Sequence, residues 1–181
     1  MKLYHYAKKE NTILQDGLLS FSKSNLFNIN DYNKRIDGLK NKEDVIAWME
    51  SCFAGRSRGI RFFTETIKWH DEAIDVLKNF VDNRFLYSID LDKVAKDGLI
   101  ETVYVSPPLY EHPDYQEIDA HFRWGCDEIY IKLNSINDID FSPIDWTFCN
   151  DKLGHRFAFV RYYLLIIKDG IILPKYVRLE N

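Results

Sequence analysis

The sequence has only three cysteines, Cys52, Cys126 and Cys149, and no CxxC pair. The odd count and wide spacing suggest neither a disulfide framework nor a zinc site, so a reducing compartment is the expectation. No apolar run approaches the roughly 20 residues that span a bilayer. The longest, YYLLII at 162–167, reads as a buried strand. The first residues include no apolar stretch of the signal-peptide kind. Charge of one sign is not concentrated either: the formal net charge is −4 with both signs interspersed. That argues against bulk electrostatic binding to nucleic acid or to a membrane surface. The motifs GxSxG, P-loop and GxGxxG do not occur, so serine-hydrolase, kinase-like and Rossmann readings have no support. Internal repeats, linkers and low-complexity tracts are missing as well.

What is present suits one domain over residues 1–181, with 46% hydrophobic residues to build a core. Aromatic residues are plentiful at 15%, enough to fill that core and also to build stacking pockets.

Residues 2–6 read as a strand, with Leu3, His5 and Ala7 on the inward face and Tyr4 and Tyr6 on the other. KKENTILQDG reads as one or two helical turns, Ile13 and Leu14 being apolar and Gly17 suited to a left-handed end. The polar stretch 20–41 is a surface excursion or flap. A helix is predicted over 42–53, with Asn41 and Asp44 at its capped start and Val45, Ile46, Trp48, Met49, Cys52 and Phe53 on its apolar stripe. Further expectations are a strand at GIRFFTE, a helix over 71–81, and strands at RFLYSIDL, TVYVS and DEIYIKL. In DEIYIKL, Ile129, Ile131 and Leu133 form the core face. Two closing strands flank a hairpin turn at Asp169-Gly170. Helices and strands do not alternate regularly, which gives an α+β class.

Several side chains could carry chemistry. His5 is either a core histidine bonded to a backbone carbonyl or a ligand handle. Glu128 opens the strand DEIYIKL, where a rigid element could aim a carboxylate into a cleft. GRSRGIR brings Arg56, Arg58 and Arg61 close together, as a solvated loop or as a grip on phosphate. His112, Asp119 and His121 fit no zinc spacing. His70 beside Asp71 reads as a helix start, and His155 has no evident partner.

The order of these pieces resembles the ADP-ribosyltransferase superfamily, in the branch shared by diphtheria-type toxins and poly-ADP-ribose polymerases. LYHYAKKENTILQDGL matches the opening strand with its histidine, here His5. GIRFFTE, the helix at 71–81, LYSIDL and DEIYI follow in the family's order, with Glu128 in the place of the catalytic glutamate. The match runs from about residue 3 to 133. It implies a split antiparallel β-sheet core with a few flanking helices. It also implies NAD as substrate, no metal, and transfer of ADP-ribose to a macromolecule, a protein in preference to a nucleic acid.

The family's stacking tyrosine has no clean counterpart, the nearest candidates being Phe63, Thr64 and Trp69. Cys126 stands two residues before Glu128, which argues against arginine as the acceptor. The resemblance gives His5 and Glu128 catalytic roles. It gives NAD contacts to His5, Tyr6, Arg56, Arg58, Arg61, Phe63, Thr64 and Trp69. A compact transferase of this kind suits a bacterial or phage effector, toxin or anti-defence protein acting in a cytoplasm, its own or a host's. Two other readings stay open: a binding module that keeps the fold without turnover, and an interaction protein that is not an enzyme.

Overall fold

A computed structural model describes residues 1–8, 12–30, 38–68, 81–106, 130–146 and 161–180. The protein is α+β, with several antiparallel sheets and a few short helices. Strands β1 (Lys2–Lys8), β4 (Arg84–Asp90) and β9 (Val177–Glu180) form a three-stranded sheet in the order β1-β4-β9. Strands β3 (Gly59–Phe62), β7 (Tyr162–Ile167), β5 (Ile100–Ser106) and β6 (Ile131–Lys132) form a four-stranded sheet in that order. A small ladder pairs β2 (Leu18–Leu19) with β8 (Ile171–Ile172). All these pairings are antiparallel. The two larger sheets meet at an isolated bridge, where Tyr4 and Phe63 exchange both backbone hydrogen bonds at 2.8 Å.

The core lies between one face of each larger sheet. Leu3, Tyr87, Ile89 and Val177 come from the three-stranded sheet, and Ile60, Phe62, Val103, Tyr163, Leu165 and Ile167 from the four-stranded one. β7 is flanked on both edges, and all six of its residues are buried, as its continuous apolar run requires. Each such aliphatic side chain contributes about 1.5–3 kcal/mol on burial. Helix α1 (Ile13–Asp16) seals one end of the core through Ile13. Helix α2 (Lys42–Cys52) starts at Asn41, whose side-chain oxygen accepts from Asp44 N at 2.9 Å, as its sequence signals. Helix α3 (Leu91–Lys96) buries Leu91 and Val94 and is capped by Asp90. No described helix is long and apolar enough to cross a membrane.

Several expectations need correction. The turn at Asp169-Gly170 exists, with Gly170 N bonded to Ile167 O at 3.0 Å, but it does not join paired strands. Both edges of β7 are taken by β3 and β5, so β8 turns away and pairs with β2. Ile131 is not core: β6 is a two-residue strand at the edge of the sheet among the described residues, and Ile131 is 50% exposed. Leu133 does pack partly against the core. On α2 only Val45 is fully buried and Cys52 is exposed, because that helix lies outside the core between the sheets. Leu14 is exposed while Ile13 is buried. The face of β1 opposite Leu3 is also covered, since Tyr6 is 8% exposed. Helix α3 escapes the sequence reading, which runs its first residue into the preceding strand. The helix expected at 71–81 falls, except for its last residue, outside the described residues, as do Ile129 and residues 107–124 of the Pro-bearing connection.

Candidate functional site

His5 sits on the core face of β1, opposite Tyr87 of β4. Leu3 before it is fully buried, and Ala7 after it is partly exposed. The imidazole is therefore half-buried, where the sheet face passes from core to surface. Its ring packs at 5.7 Å from the Phe62 ring. Nδ1 lies 2.8 Å from the carbonyl oxygen of Arg61. A carbonyl can only accept, so Nδ1 carries the proton and Nε2 is left as an acceptor. Loss of hydration lowers the pKa of His5 below its ordinary value. The bond to the Arg61 carbonyl opposes this, and the nearby Arg61 charge adds to it. The ring is consequently neutral at neutral pH.

The imidazole lines a cleft of about 320 Å³. Its other walls include Lys8, Ile13, Asp16, Leu18 and Asn25. One wall is built by α1 and its abrupt end. Thr12 O accepts from both Gln15 N and Asp16 N at 2.8 Å, and the Thr12 hydroxyl donates to the Asp16 carboxylate. Gly17 then takes φ +85° and ψ −179°, a conformation open essentially to glycine alone. A Cβ there would lie 2.3 Å from the carbonyl oxygen of Ile172. This close approach lets Leu18 enter the ladder opposite Ile172, and Leu18 is 1% exposed.

Each of the three arginines has partners within the protein. Arg56 is 9% exposed, and its guanidinium carbon lies 5.1 Å from the Trp48 ring, 5.7 Å from Phe53 and 5.4 Å from Tyr130. Such desolvated cation–π contacts favour a buried arginine. Arg58 donates to Glu101 at 2.6 Å and to the carbonyl of Lys168 at 2.8 Å. Arg61 is exposed, with its guanidinium 4.2 Å from the Tyr162 ring centroid.

The turn that carries Arg56 is organised by Glu50. Its carboxylate accepts from Gly55 N at 2.7 Å, Ser57 N at 3.0 Å and the Ser57 hydroxyl at 2.6 Å. Burial pushes the Glu50 carboxyl up, but these bonds and the charge of Arg58 outweigh it and hold it below its usual value.

Of the remaining candidates, Tyr6 accepts a hydrogen bond from Ile67 N at 2.8 Å. Phe63 is 3% exposed and packs edge-on against Tyr6. The Thr64 hydroxyl is buried without a hydrogen-bond partner. Glu128 and Trp69 lie outside the described residues, as do Cys126, Cys149, His70, His112, Asp119, His121 and His155. Among the described residues no group of His, Cys, Asp and Glu could hold a metal ion.

Sequence reasoning missed Lys8 and Asp16 as cleft walls, and Glu50 as the organiser of the Arg56 turn. It also missed the Tyr130–Tyr162 hydroxyl pair at 2.9 Å. Only Asp16 had a visible cue, its place just before the glycine that ends α1.

No protein-family model matches this chain, and no curated protein or solved structure is significantly similar to it.

Proposed function

We propose that the chain is an ADP-ribosyltransferase-like enzyme that cleaves NAD and transfers ADP-ribose to a macromolecular acceptor, a protein in preference to a nucleic acid. The observation that carries this reading is His5: a neutral imidazole on the first strand, with Nδ1 spent on a backbone carbonyl and its ring lining a cleft. The junction of two antiparallel sheets at Tyr4 and Phe63 supports a split-sheet core of that kind.

In the proposed reaction the bond between ribose C1′ and the nicotinamide nitrogen breaks, and its electron pair leaves with nicotinamide. The ribose passes through an oxocarbenium-like state, as in glycoside chemistry. Glu128 stabilises the positive charge that develops there. His5 Nε2 accepts a hydrogen bond from a ribose hydroxyl. The acceptor's nucleophile then bonds to C1′ and gives up its proton.

The test incubates the protein with labelled NAD and a lysate, and follows both label transfer and nicotinamide release. Glu128→Gln is expected to lower release by about 100-fold or more, the scale for losing one electrostatic stabiliser. Unchanged turnover in Glu128→Gln overturns the assignment.

A second reading, a binding module without turnover, is favoured by one feature. Apart from His5, no aromatic ring is among the described residues that line the cleft. NAD binding with no nicotinamide release, with or without lysate, supports that reading instead.

A further inference from the structure

We infer that the outer edge of β9 is a self-association surface, on which a second copy of this chain pairs antiparallel about a two-fold axis through Leu179. The inference concerns the three-stranded sheet and does not rest on the NAD-cleaving reading.

Three observations carry it. The first is a bare edge. β9 is the last strand in the order β1-β4-β9 and pairs with β4. Among the described residues, no other hydrogen bond engages the backbone of Val177–Glu180. In an antiparallel ladder successive residues turn their backbone groups to opposite edges, so every second residue of β9 faces outward. Arg178 and Leu179 are both exposed, Leu179 by 44%. Such an edge is a template for another strand.

The second is the match of this strand to itself. Val177 and Leu179 share the core face, and Arg178 and Glu180 share the outer one. A two-fold axis perpendicular to the sheet keeps those faces in common between the copies. Centred on Leu179, it sets Leu179 against its own copy and Arg178 against Glu180 in both directions. Centred on Arg178 it would oppose two arginines, and centred on Glu180 two glutamates. Like charges directly opposite destabilise a sheet, whereas apolar and oppositely charged pairs support it. Of the three registers, the one through Leu179 alone meets both conditions.

The third is spare charge on that outer face. Among the described residues Arg178 makes no ion pair or hydrogen bond, although its charge helps to hold the Glu180 carboxyl below its usual value. Glu180 accepts from Lys2 Nζ at 2.8 Å and from the Ser88 hydroxyl, both at Oε1. Oε2 takes neither bond and is left for a guanidinium, which binds carboxylates well. A four-residue strand buries little surface, so the pairing belongs with weak complexes, below about 1,200 Å².

The test is sedimentation equilibrium of the full chain over about 5–500 µM, where a monomer–dimer Kd on the order of 100 µM is expected. Leu179→Lys sets two ammonium groups opposite each other, and Arg178→Glu opposes carboxylates. Each is expected to raise the dimer Kd by about tenfold or more, with an unchanged circular dichroism spectrum. Arg178→Lys keeps the charge and should stay within about threefold. An equal mixture of Arg178→Glu and Glu180→Arg chains brings opposite charges together at both pairs, and is expected to restore dimers that neither chain forms alone. If Glu180→Arg fails to fold, since it also loses Lys2 and Ser88, the other three variants decide the matter.

A monomer at every concentration overturns the inference. So does a dimer that Leu179→Lys and Arg178→Glu both leave intact, because its interface lies elsewhere. A chain that stays monomeric but takes an unrelated extended peptide at this edge overturns it as well, the partner then being a different strand.

Discussion

Two turns in this molecule use the same device for opposite ends. Gly17 closes α1 with φ +85°, and Gly55 follows α2 with φ +86°. At Gly17 the next torsion is ψ −179°, which sends the chain out extended into the ladder with β8 and leaves a cleft beside it. At Gly55 it is ψ −1°, which curls the chain into the 3₁₀ turn Arg56–Arg58 and tucks Arg56 among aromatic rings. A Cβ at Gly17 would strike backbone, the Ile172 carbonyl oxygen at 2.3 Å, whereas one at Gly55 would meet the Ile166 side chain at 2.7 Å. Polar groups follow the same division. His5 beside the first turn keeps a spare acceptor, while Glu50 at the second accepts three hydrogen bonds from the turn it organises. One turn frames a cavity and the other completes the packing.

The largest test of that contrast is Gly17→Ala. It meets both a forbidden torsion and a rigid oxygen, so a loss of about 3 kcal/mol or more is expected in urea unfolding. Loss of ligand binding at the cleft should accompany it. A loss below about 1 kcal/mol would show that the β2–β8 ladder yields easily.

Next is Glu50→Gln, which weakens three hydrogen bonds to one carboxylate. About 2 kcal/mol is the expected cost. The Trp48 fluorescence should change as Arg56 loosens, while affinity at the cleft stays within about twofold. If cleft affinity falls with it, the two turns are coupled and the contrast breaks.

The smallest effect is the pH response of His5. Its folded pKa lies below the unfolded value of 6.5. As pH falls through that value the unfolded chain takes up a proton that the folded ring refuses, so stability declines. Above it both states are neutral and the contribution is flat. Thermal unfolding between about pH 7 and 5 should show this slope in the native chain and a flatter one in His5→Gln. Equal slopes would mean the ring is hydrated as fully as in the unfolded chain.

The strands were the most legible part of the sequence, because one face of each larger sheet is core. Alternation placed Leu3 and His5 on the same side, and turn chemistry marked Gly17 and Asn41. Local pattern failed where partners are distant or elements are short. Nothing in IILP says that β8 answers to Leu18 and Leu19 rather than to the strand just before it. Six residues were too few for α3 to show a helical period. Ile131 reads as core by composition and is exposed where its strand has one neighbour among the described residues. In the candidate site the histidine was legible from its strand. The fate of Arg56 was not, since Trp48, Phe53 and Tyr130 reach it from separate places in the chain.

The ladder β1-β4-β9 has a kinetic meaning. Its first strand begins at Lys2 and its last ends at Glu180, and the Lys2 ammonium lies 2.8 Å from the Glu180 carboxylate. During synthesis β1 and β4 can pair before β9 exists, so adding β9 to complete this sheet is a late step. Until then the outer edge of β4 presents bare backbone from Leu86 to Ile89, where another chain could pair. A chain with that edge open offers another copy a template for strand pairing, which β9 removes.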